Sequence, residues 1–402
     1  MAVGLGIVLV ASACGVGGRE QAASIEEMRA MTLKVPQTSS GSPTDMNVMM
    51  YGQFAKEVSE GTDGKIDFEF YWNSTLVPVA EHLTAIASGV ADLGMAVLSY
   101  TPEELPIGNW LAQAGSLQNP SYPAGPMQGT WGMVDTHMSN DVLAKEWADK
   151  GVKFFNAWSP SAGYDLLCAD PISDVSDVRG RRVTSPGPLW TAELKALGMV
   201  PTDVAFAERY EALQRGVVDC TVSVPQTWTE YSFWDVAKYV VPGILSPGLI
   251  QAIVMDADLW DSLPVEAQQV MHDAAWTITM ANLALTATET YNRFATEGPA
   301  QHGIVFVDPT SFDNVLARQQ ETTRTKMLEN VPAGLEDPQA LLDEFTKSMD
   351  EGLAAAEAAG APPIARDADA VQRSWAEPVD PDVWKAYGEA LKTKVYDAHR
   401  PR

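Results

Sequence analysis

The chain has 402 residues, of which 46% are hydrophobic and 20% charged, and its formal net charge at pH 7 is −26. This length is enough to build two lobes that each have a hydrophobic core. The acidic surface repels the phosphates of nucleic acids and anionic lipid headgroups, which argues against both as partners, and its ordinary purpose is solubility.

The first residues have the pattern of a lipoprotein signal. Residues 5–13 (LGIVLVASA) are apolar but too few to span a bilayer, and small residues precede Cys14. This pattern predicts a signal segment, 1–14, that ends at a lipidated Cys14, followed by a polar tether at 15–30. No Lys or Arg precedes Cys14, and Ala11 stands where such signals usually have Leu. A plain signal peptide is therefore the alternative, and the true start is left open.

The next stretch predicts a first α/β lobe. Residues 33–35 begin a strand, and the polar loop after it contains Thr38. Strands at 65–71 and within 89–96 are followed by Trp72 and Tyr100. Because open α/β sheets bind ligands beyond the carboxyl ends of their strands, these three residues are candidate ligand contacts. Capping of the next helix is the alternative role for Thr38.

Residues 177–223 predict the centre of a second lobe. Glycines that end helices and short apolar strands alternate there, as strand (183–184), helix (189–197), strand (200–205), helix (207–214) and strand (217–222). This order is typical of a mainly parallel, doubly wound sheet. Residues 83–96 repeat the plan of 211–222, which indicates two lobes of similar construction.

The same stretch resembles a known family. Its motifs are D-x-x-G-x-x-V-x-x-P-G, then A-L-G-x-x-P, then F-x-E-x-Y-x-A-L-x-x-G-V-V-D, all within 177–219. They resemble the second lobe of TRAP-transporter solute-binding proteins of the DctP type. GVADLGMA (89–96), DVAKYVVPG (235–243) and LWDSLPVEAQQVMHDAA (259–275) match other segments of that family. The likeness extends from residue 33 to about residue 352.

The resemblance implies an α/β, two-lobed fold like that of periplasmic binding proteins, in which each lobe is a mostly parallel sheet flanked by helices. One long helix spans both lobes, and the run from 264 to 298, which is free of internal Gly and Pro, suits it. The expected first lobe is 31–152 plus 241–282, the second is 153–240 plus 283–352, and 353–402 is a helical extension outside the resemblance.

The resemblance also implies a function. Such a protein captures a small organic solute, here expected to be an organic acid, in the interlobe cleft outside the cytoplasm. It then delivers the solute to TRAP-type permease subunits. The lipid on Cys14 would attach it to the membrane, at the periplasmic or cell surface.

The carboxylate-binding residues of the family are changed in this chain. Family members usually hold a carboxylate with an Arg two residues before the strand-end Pro-Gly, and Thr184 occupies that position here. Arg182 lies two residues earlier, on the same strand face, so it is either a replacement or a peripheral surface charge. A family Asn in the strand after the last motif is replaced by Ser223.

Aromatic residues stand at several predicted strand ends. Trp158 ends the strand at 153–158, and Trp228 follows the last strand of the second lobe, in addition to Trp72 and Tyr100. Tryptophan is usually a core residue, which is the alternative for each. As ligand contacts they indicate a bulkier, more apolar or cationic solute held by stacking.

Two cysteines remain after Cys14. An exported protein meets an oxidising compartment, so a Cys168–Cys220 disulfide is one expectation. The alternative is two small buried residues that do not meet.

Catalytic motifs are missing from the sequence. Its five His form neither HExxH nor a metal-spaced cluster with Cys, and there is no G-x-S-x-G elbow and no Gly-rich phosphate loop. We therefore expect no enzyme, no cofactor and no metal. The alternatives are a receptor that reports to a sensor and an exported enzyme on a bilobal scaffold.

Overall fold

The computed structural model describes residues 21–43, 45–159, 161–247, 251–361 and 367–402, apart from the side chains of Tyr100 and Ala207. Cys14 and residues 15–20 of the predicted tether lie outside the described residues. The described strands are β1 (Met31–Pro36), β2 (Ile66–Tyr71), β3 (Leu93–Val97), β4 (Val152–Trp158), β5 (Tyr164–Cys168), β6 (Arg182–Thr184), β7 (Val200–Thr202), β8 (Cys220–Ser223), β9 (Tyr239–Leu245), β10 (Gln251–Asp256) and β11 (Val305–Phe306).

The described α-helices are α1 (Met46–Gly61), α2 (His82–Ala87), α3 (Pro106–Ala112), α4 (Ala124–Ser139), α5 (Asp141–Asp149), α6 (Pro188–Ala196), α7 (Arg209–Gln214), α8 (Pro225–Glu230), α9 (Ala257–Ser262), α10 (Val265–Leu285), α11 (Arg293–Glu297), α12 (Thr310–Glu329), α13 (Pro338–Ala358), α14 (Ala368–Ala376) and α15 (Pro381–Leu391).

The first lobe is built on β1, β2, β3, β10 and β4. β10 pairs antiparallel with β3 on one side and with β4 on the other, so β3 and β4 run in the same direction. β1 and β2 form a parallel pair. Asp92, just before β3, joins this pair to the rest because its backbone N–H donates to Lys34 O at 3.0 Å and its carboxylate accepts from Lys34 N at 2.8 Å.

The second lobe is a six-stranded sheet in the order β11-β9-β5-β8-β6-β7. β6 runs parallel to both β7 and β8, whereas β5 is antiparallel to β8 and β9. Cys168 and Cys220 are register partners on β5 and β8 and are joined by a disulfide. The two-lobed α/β fold class expected from the sequence is confirmed.

The chain crosses between the lobes at other points than the sequence predicted. β4 was expected in the second lobe, but its backbone pairs with β10 in the first. β9, which begins before the predicted return at 241, pairs with β5 in the second lobe. The crossings therefore follow Trp158 and Leu245, because each strand belongs to the sheet that supplies its hydrogen bonds.

A long helical run connects the two cores. α10 continues through a π-helical turn (Thr286–Asn292) into α11 and a second π turn (Gly298–His302). Met271 and Ile278 are buried in the first-lobe core, whereas Tyr291 and Phe294 are buried in the second. The predicted spanning helix is therefore present. Its π turns lie where it passes between the lobes, and such turns often mark functional sites.

Both ends of the described chain pack onto the body. The last part of the predicted tether is not free, because Met28 is 4% exposed in the first-lobe core and Ala22 N donates to Ser262 O. In the C-terminal extension, α14 buries Trp375 in the second-lobe core and α15 buries Tyr387 in the first. The extension therefore contacts both lobes.

Candidate functional site

The loop before α1 in the first lobe and α8 at the carboxyl edge of the second-lobe sheet lie close together, and the region between them, called the gap below, is the candidate site. Asp45, the N-cap of α1 in the first lobe, accepts from Asn47 N at 2.9 Å. Glu230 ends α8 in the second lobe, and its side chain is exposed. Partial desolvation raises its pKa, and the negative charge of Asp45 raises the pKa further. The first-lobe loop before α1 therefore lies close to the carboxyl edge of the second-lobe sheet, where open α/β sheets bind their ligands.

The first-lobe wall of this gap has buried polar atoms without partners. Gln37 Nε2 and Ser39 Oγ follow β1, and Ser99 Oγ and Thr101 Oγ1 follow β3. None of these four atoms makes a hydrogen bond to any described residue. Buried polar groups are nearly always paired, because an unpaired one costs about 1–3 kcal/mol, so a cluster of them indicates a place for a polar ligand or water.

Tyr51 extends this wall from α1. Burial raises its pKa to about 12, and the neighbouring Gln37 side chain opposes that rise. Tyr51 OH is buried close to the Gln37 side chain, so these two polar groups face each other on this wall. At neutral pH the phenol keeps its proton and offers a fifth polar group on this side of the gap.

The predicted first-lobe residues lie at the strand ends, in different settings. Thr38 is half-buried in the loop after β1 and is not the helix cap, which is Asp45. Trp72 is half-buried, and its indole stacks on the Phe70 ring. It also lies against Gly41, where a Cβ added to the glycine would be 2.6 Å from Trp72 Cγ. The Tyr100 side chain is outside the described part. Trp72 therefore already has packing partners on two sides.

Two of the predicted tryptophans are core residues that use their indole N–H internally. Trp158 is 2% exposed, and its Nε1 donates to Gln251 Oε1 at 2.7 Å. Trp228 is fully buried, and its Nε1 donates to Asp165 Oδ2 at 3.4 Å. The Asp165 carboxylate also accepts from Gly243 N at 2.7 Å. Both rings therefore lie in hydrophobic cores, Trp158 in the first lobe and Trp228 in the second.

The polar residues predicted on the second lobe bond to each other. Thr184 is fully buried, and its hydroxyl lies 2.7 Å from that of Thr221 on β8. Ser223 Oγ lies 2.6 Å from Thr227 Oγ1 at the start of α8. The small Thr184 side chain is thus satisfied inside the sheet, at the position where the resemblance expects a long cationic side chain.

Arg182 points to the opposite edge of the sheet. It begins β6, and its guanidinium binds the Asp219 carboxylate at 2.6 and 3.1 Å and the Gly216 carbonyl at 2.8 Å. Asp219 precedes β8, so this pair lies at the amino ends of the parallel strands. Arg182 is therefore a peripheral surface charge, because the Asp219 carboxylate at the amino edge of the sheet holds its guanidinium there.

Three second-lobe residues that the sequence analysis did not single out lie at the carboxyl edge. Arg209 Nη2 donates to the carbonyl of Ser185, the residue after β6, at 3.4 Å. Phe206 and Tyr231 are 42% and 48% exposed and form an edge-to-face pair with centroids 5.1 Å apart. Phe206 and Arg209 follow the strand predicted at 200–205, so the strand-end rule that selected Trp72 also points to them.

Two searches of the described residues are negative. No group of three or more His, Cys, Asp or Glu is placed to bind a metal ion. No described helix has the length and apolar character needed to cross a bilayer.

Comparisons with known proteins identify the family. Residues 38–326 match the family described as bacterial extracellular solute-binding protein, family 7 (DctP). A C4-dicarboxylate-binding periplasmic protein of Rhodobacter capsulatus is 26% identical over 225 residues, which cover 55% of this chain and 64% of the relative. The chain thus spans less than two thirds of the length of that relative.

Solved structures show the same architecture. An extracytoplasmic solute receptor of Bordetella pertussis that binds pyroglutamic acid superposes with a TM-score of 0.63 at 21% identity, covering 79% of this chain and 99% of its own. The periplasmic ectoine-binding protein of a Halomonas elongata TRAP transporter gives 0.65 at 16% identity, covering 80% of this chain and 100% of its own. These likenesses establish the fold, and the family match covers most of the chain. The chain belongs to the DctP family of bacterial extracellular solute-binding proteins.

Proposed function

We propose that this protein captures a small organic acid between its two lobes, outside the cytoplasm, and presents it to the membrane subunits of a TRAP-type transporter. The observation that carries the proposal is a cluster of buried polar groups on the first-lobe wall. Ser39, Ser99 and Thr101 have no hydrogen-bond partner among the described residues, and Gln37 and Tyr51 face each other beside them. A polar solute that satisfied them would recover the free energy that their missing hydrogen bonds cost.

The family supports the same function. Relatives and structural neighbours are described as binding C4-dicarboxylates, pyroglutamate and ectoine, which are all small and polar. Because the family consists of solute receptors, we propose capture without turnover. Affinity would come from closing the lobes around a matched ligand, as in other hinged binding proteins.

A calorimetric and thermal-shift screen tests this function. Purified protein is titrated with C4-dicarboxylates, pyroglutamate, aromatic acids, uronates and ectoine. A ligand at a hundred times its Kd adds about 2.7 kcal/mol to the unfolding free energy, which is a readily measured shift. Failure of every organic acid to bind would contradict the proposal, and chemical conversion of a bound acid would favour an enzyme instead.

We further propose that a lipid on Cys14 keeps the protein at the membrane. Cells that express the chain and its Cys14→Ala variant are labelled with a tagged fatty acid and fractionated. Label and membrane association should both be lost in the variant. An unlabelled wild-type protein in the soluble extracytoplasmic fraction would instead support a plain signal peptide.

A further inference from the structure

We propose that Glu193 is a positioning residue for ligand capture, whose carboxyl group holds the interlobe crossing after β9, at Ser246, to the helix α6. This proposal rests on the proposed function and deepens it, because it names a residue that ties the ligand-facing edge to a connection about which the lobes close. The observations are the two-point contact between Glu193 and Ser246, the burial of both residues and the position of α6.

α6 holds the backbone and side-chain polar groups of Ser246. Ser246 N donates to Glu193 Oε2 at 3.1 Å, and Ser246 Oγ donates to Glu193 Oε1 at 2.5 Å. Trp190, one turn earlier on α6, donates from Nε1 to the Ser246 carbonyl at 2.8 Å. Ser246 is the first residue after β9, and the chain has entered the first lobe by Gln251. The helix therefore fixes the start of the crossing in position and in orientation.

The Glu193 carboxyl group is enclosed by protein. It is 0% exposed, and a buried carboxyl group is unfavourable unless polar partners receive it. Besides Ser246, Gln320 of α12 donates from Nε2 to Glu193 Oε1 at 3.2 Å, so these partners are neutral. Burial raises the pKa of Glu193, and these hydrogen bonds oppose the rise. A side chain that only filled the space beneath α6 would ordinarily be apolar, so the carboxyl group indicates that the bond to the crossing is needed.

The other crossing, which follows Trp158, reaches the same helix. The Trp190 indole packs against Tyr164, the first residue of β5, with ring centroids 4.9 Å apart. Tyr164 is the register partner of Leu245 on β9. A Cβ added to Gly163, just before β5, would lie 3.0 Å from Leu245 O. The two crossings thus lie side by side at the second-lobe sheet, and α6 contacts both.

The start of α6 lies at the ligand-facing edge. The helix begins at Pro188, after the turn that follows β6. Thr191 N donates to Gly187 O at 2.9 Å, and Thr191 Oγ1 donates to Ser185 Oγ at 2.8 Å, so the helix is bonded to this turn. β6 and β8 are parallel neighbours, which places the turn at the same edge as the start of α8 beside the gap. A ligand bound against this turn therefore contacts the helix that holds the crossing.

Hydrogen exchange and stopped-flow fluorescence on the full purified protein test the proposal. Glu193→Gln keeps one carbonyl acceptor, and Glu193→Leu keeps none. Ser246→Ala removes the hydroxyl from the other side of the contact, and the double variant Glu193→Gln/Ser246→Ala combines two of these changes. The solutes are succinate, pyroglutamate and glucuronate.

Glu146→Gln is the matched control. Glu146 is also a buried carboxyl group that accepts from two backbone amides, Ile107 N at 2.6 Å and Gly108 N at 2.9 Å. Its contacts are to the start of α3 in the first lobe, not to a crossing. The same chemical change there reports what the loss of a buried carboxylate does on its own.

The first measurement needs no ligand. Exchange of the Ser246 amide hydrogen should be about tenfold or more faster in Glu193→Leu than in the wild type, with an intermediate rate in Glu193→Gln, because local opening sets this rate. The rate should stay at the wild-type value in Glu146→Gln. Amides of β5 should keep their wild-type rates in every variant, which separates release of the crossing from general unfolding.

The second measurement is ligand release. Changes in affinity among variants act mainly on dissociation, so Glu193→Leu should release a bound acid about tenfold faster, with association changed by less than about threefold. Glu193→Gln and Ser246→Ala alter the two ends of one contact, so the double variant should release the acid no faster than the quicker single variant. Glu146→Gln should stay within about twofold of the wild type, because its effect is confined to the first lobe.

Three outcomes overturn the proposal. Wild-type exchange of the Ser246 amide in Glu193→Gln, together with wild-type release in Ser246→Ala, removes the clamp even where Glu193→Leu fails to fold. Equally fast release in Glu146→Gln assigns the effect to general destabilisation, while the receptor function stands. A wild type that binds none of the three acids counts against the proposed function and removes the role in capture, and the exchange rates then decide separately whether Glu193 holds the crossing.

Discussion

Two helix glycines, Gly352 and Gly52, provide a sharp test of the packing because the same substitution should have opposite effects at them. Gly352 is buried within α13, where a Cβ would lie 2.6 Å from Trp131 Cβ, 2.9 Å from Trp131 Cγ and 3.2 Å from Gln128 O. Gly52 is exposed on α1, and a Cβ there would meet no atom within 4 Å. The two sites therefore share their secondary structure and differ in surrounding space.

The expected magnitudes follow from these distances. Alanine favours a helix over glycine by about 1 kcal/mol, so Gly52→Ala should stabilise the protein by up to that amount. Gly352→Ala gains the same propensity but forces a backbone-attached carbon into Trp131, which is fully buried and cannot move aside. Overpacking of this kind costs about 1–3 kcal/mol, and the contact at 2.6 Å belongs at the upper end. We expect a net loss of about 1–2 kcal/mol.

Urea unfolding followed by tryptophan fluorescence and circular dichroism measures both variants against the wild type. Gly132→Ala on α4 is a graded control, because its Cβ would meet the flexible end of Met349 at 2.6 Å. The stability order should be Gly52→Ala, wild type, Gly132→Ala, Gly352→Ala. A Gly352→Ala protein as stable as the wild type would refute the close contact of α13 with α4, and a destabilised Gly52→Ala would refute the propensity argument.

Three further predictions concern stability. Cys168 and Cys220 close a loop with a sequence separation of 52, so replacing both with Ala should lower the unfolding free energy by about 4 kcal/mol. Reductant should lower the urea midpoint of the wild type but not of this variant. Burial lowers the pKa of His137 to about 4 from an ordinary 6.5, so only the unfolded chain takes up this proton between those values. Stability should therefore fall by about 3 kcal/mol as the pH drops from 6.5 to 4, and His137→Gln should show a weaker pH dependence in parallel urea titrations, whereas an unchanged dependence would contradict the assignment. Trp375→Ala removes a ring 4.7 Å from Tyr291 and should cost about 3–5 kcal/mol in thermal unfolding, whereas truncation of the half-exposed Trp384 should cost less.

The second-lobe elements were predictable because their signals are local. The strand at 183–184 and the helix stops at Gly198 and Gly216 appear where the sequence placed them, whereas the strand predicted at 217–222 begins only at Cys220. Both glycines adopt positive φ, 79° and 65°, a conformation that residues with a Cβ rarely adopt, which explains why a single residue can mark the end of a helix.

The assignment of strands to lobes was not predictable in the same way. β4 has the alternation and composition of any buried strand, and nothing within it states which sheet it joins. Its partner β10 lies about a hundred residues further along the chain, and their register is fixed by pairs such as Ala157 with Ala252. Long-range pairing of this kind decides the lobe boundary and leaves no mark in the local pattern.

The site illustrates the same limit. Motif spacing directed attention to Thr184 and its strand neighbour Arg182, yet the guanidinium that bonds to the residue after β6 is that of Arg209, at the start of α7. Trp158 ends β4 and Trp228 lies in α8 after β8, and both indoles bond to partners, Gln251 and Asp165, that are distant in sequence. A strand end can be predicted from the sequence, while the direction of its side chains is set by tertiary packing.

The C-terminal extension adds a second connection between the two lobes. Residues on α14 belong to the second-lobe core and residues on α15 to the first, so the segment between them passes from one lobe to the other. Asn292, in the π turn of that helix, donates from Nδ2 to Ala376 O at 2.6 Å. Because α10–α11 and the extension are bonded at this level, a change of the angle between the lobes must bend both connections together. The family match ends at residue 326, so this second connection lies outside the segment shared with the family.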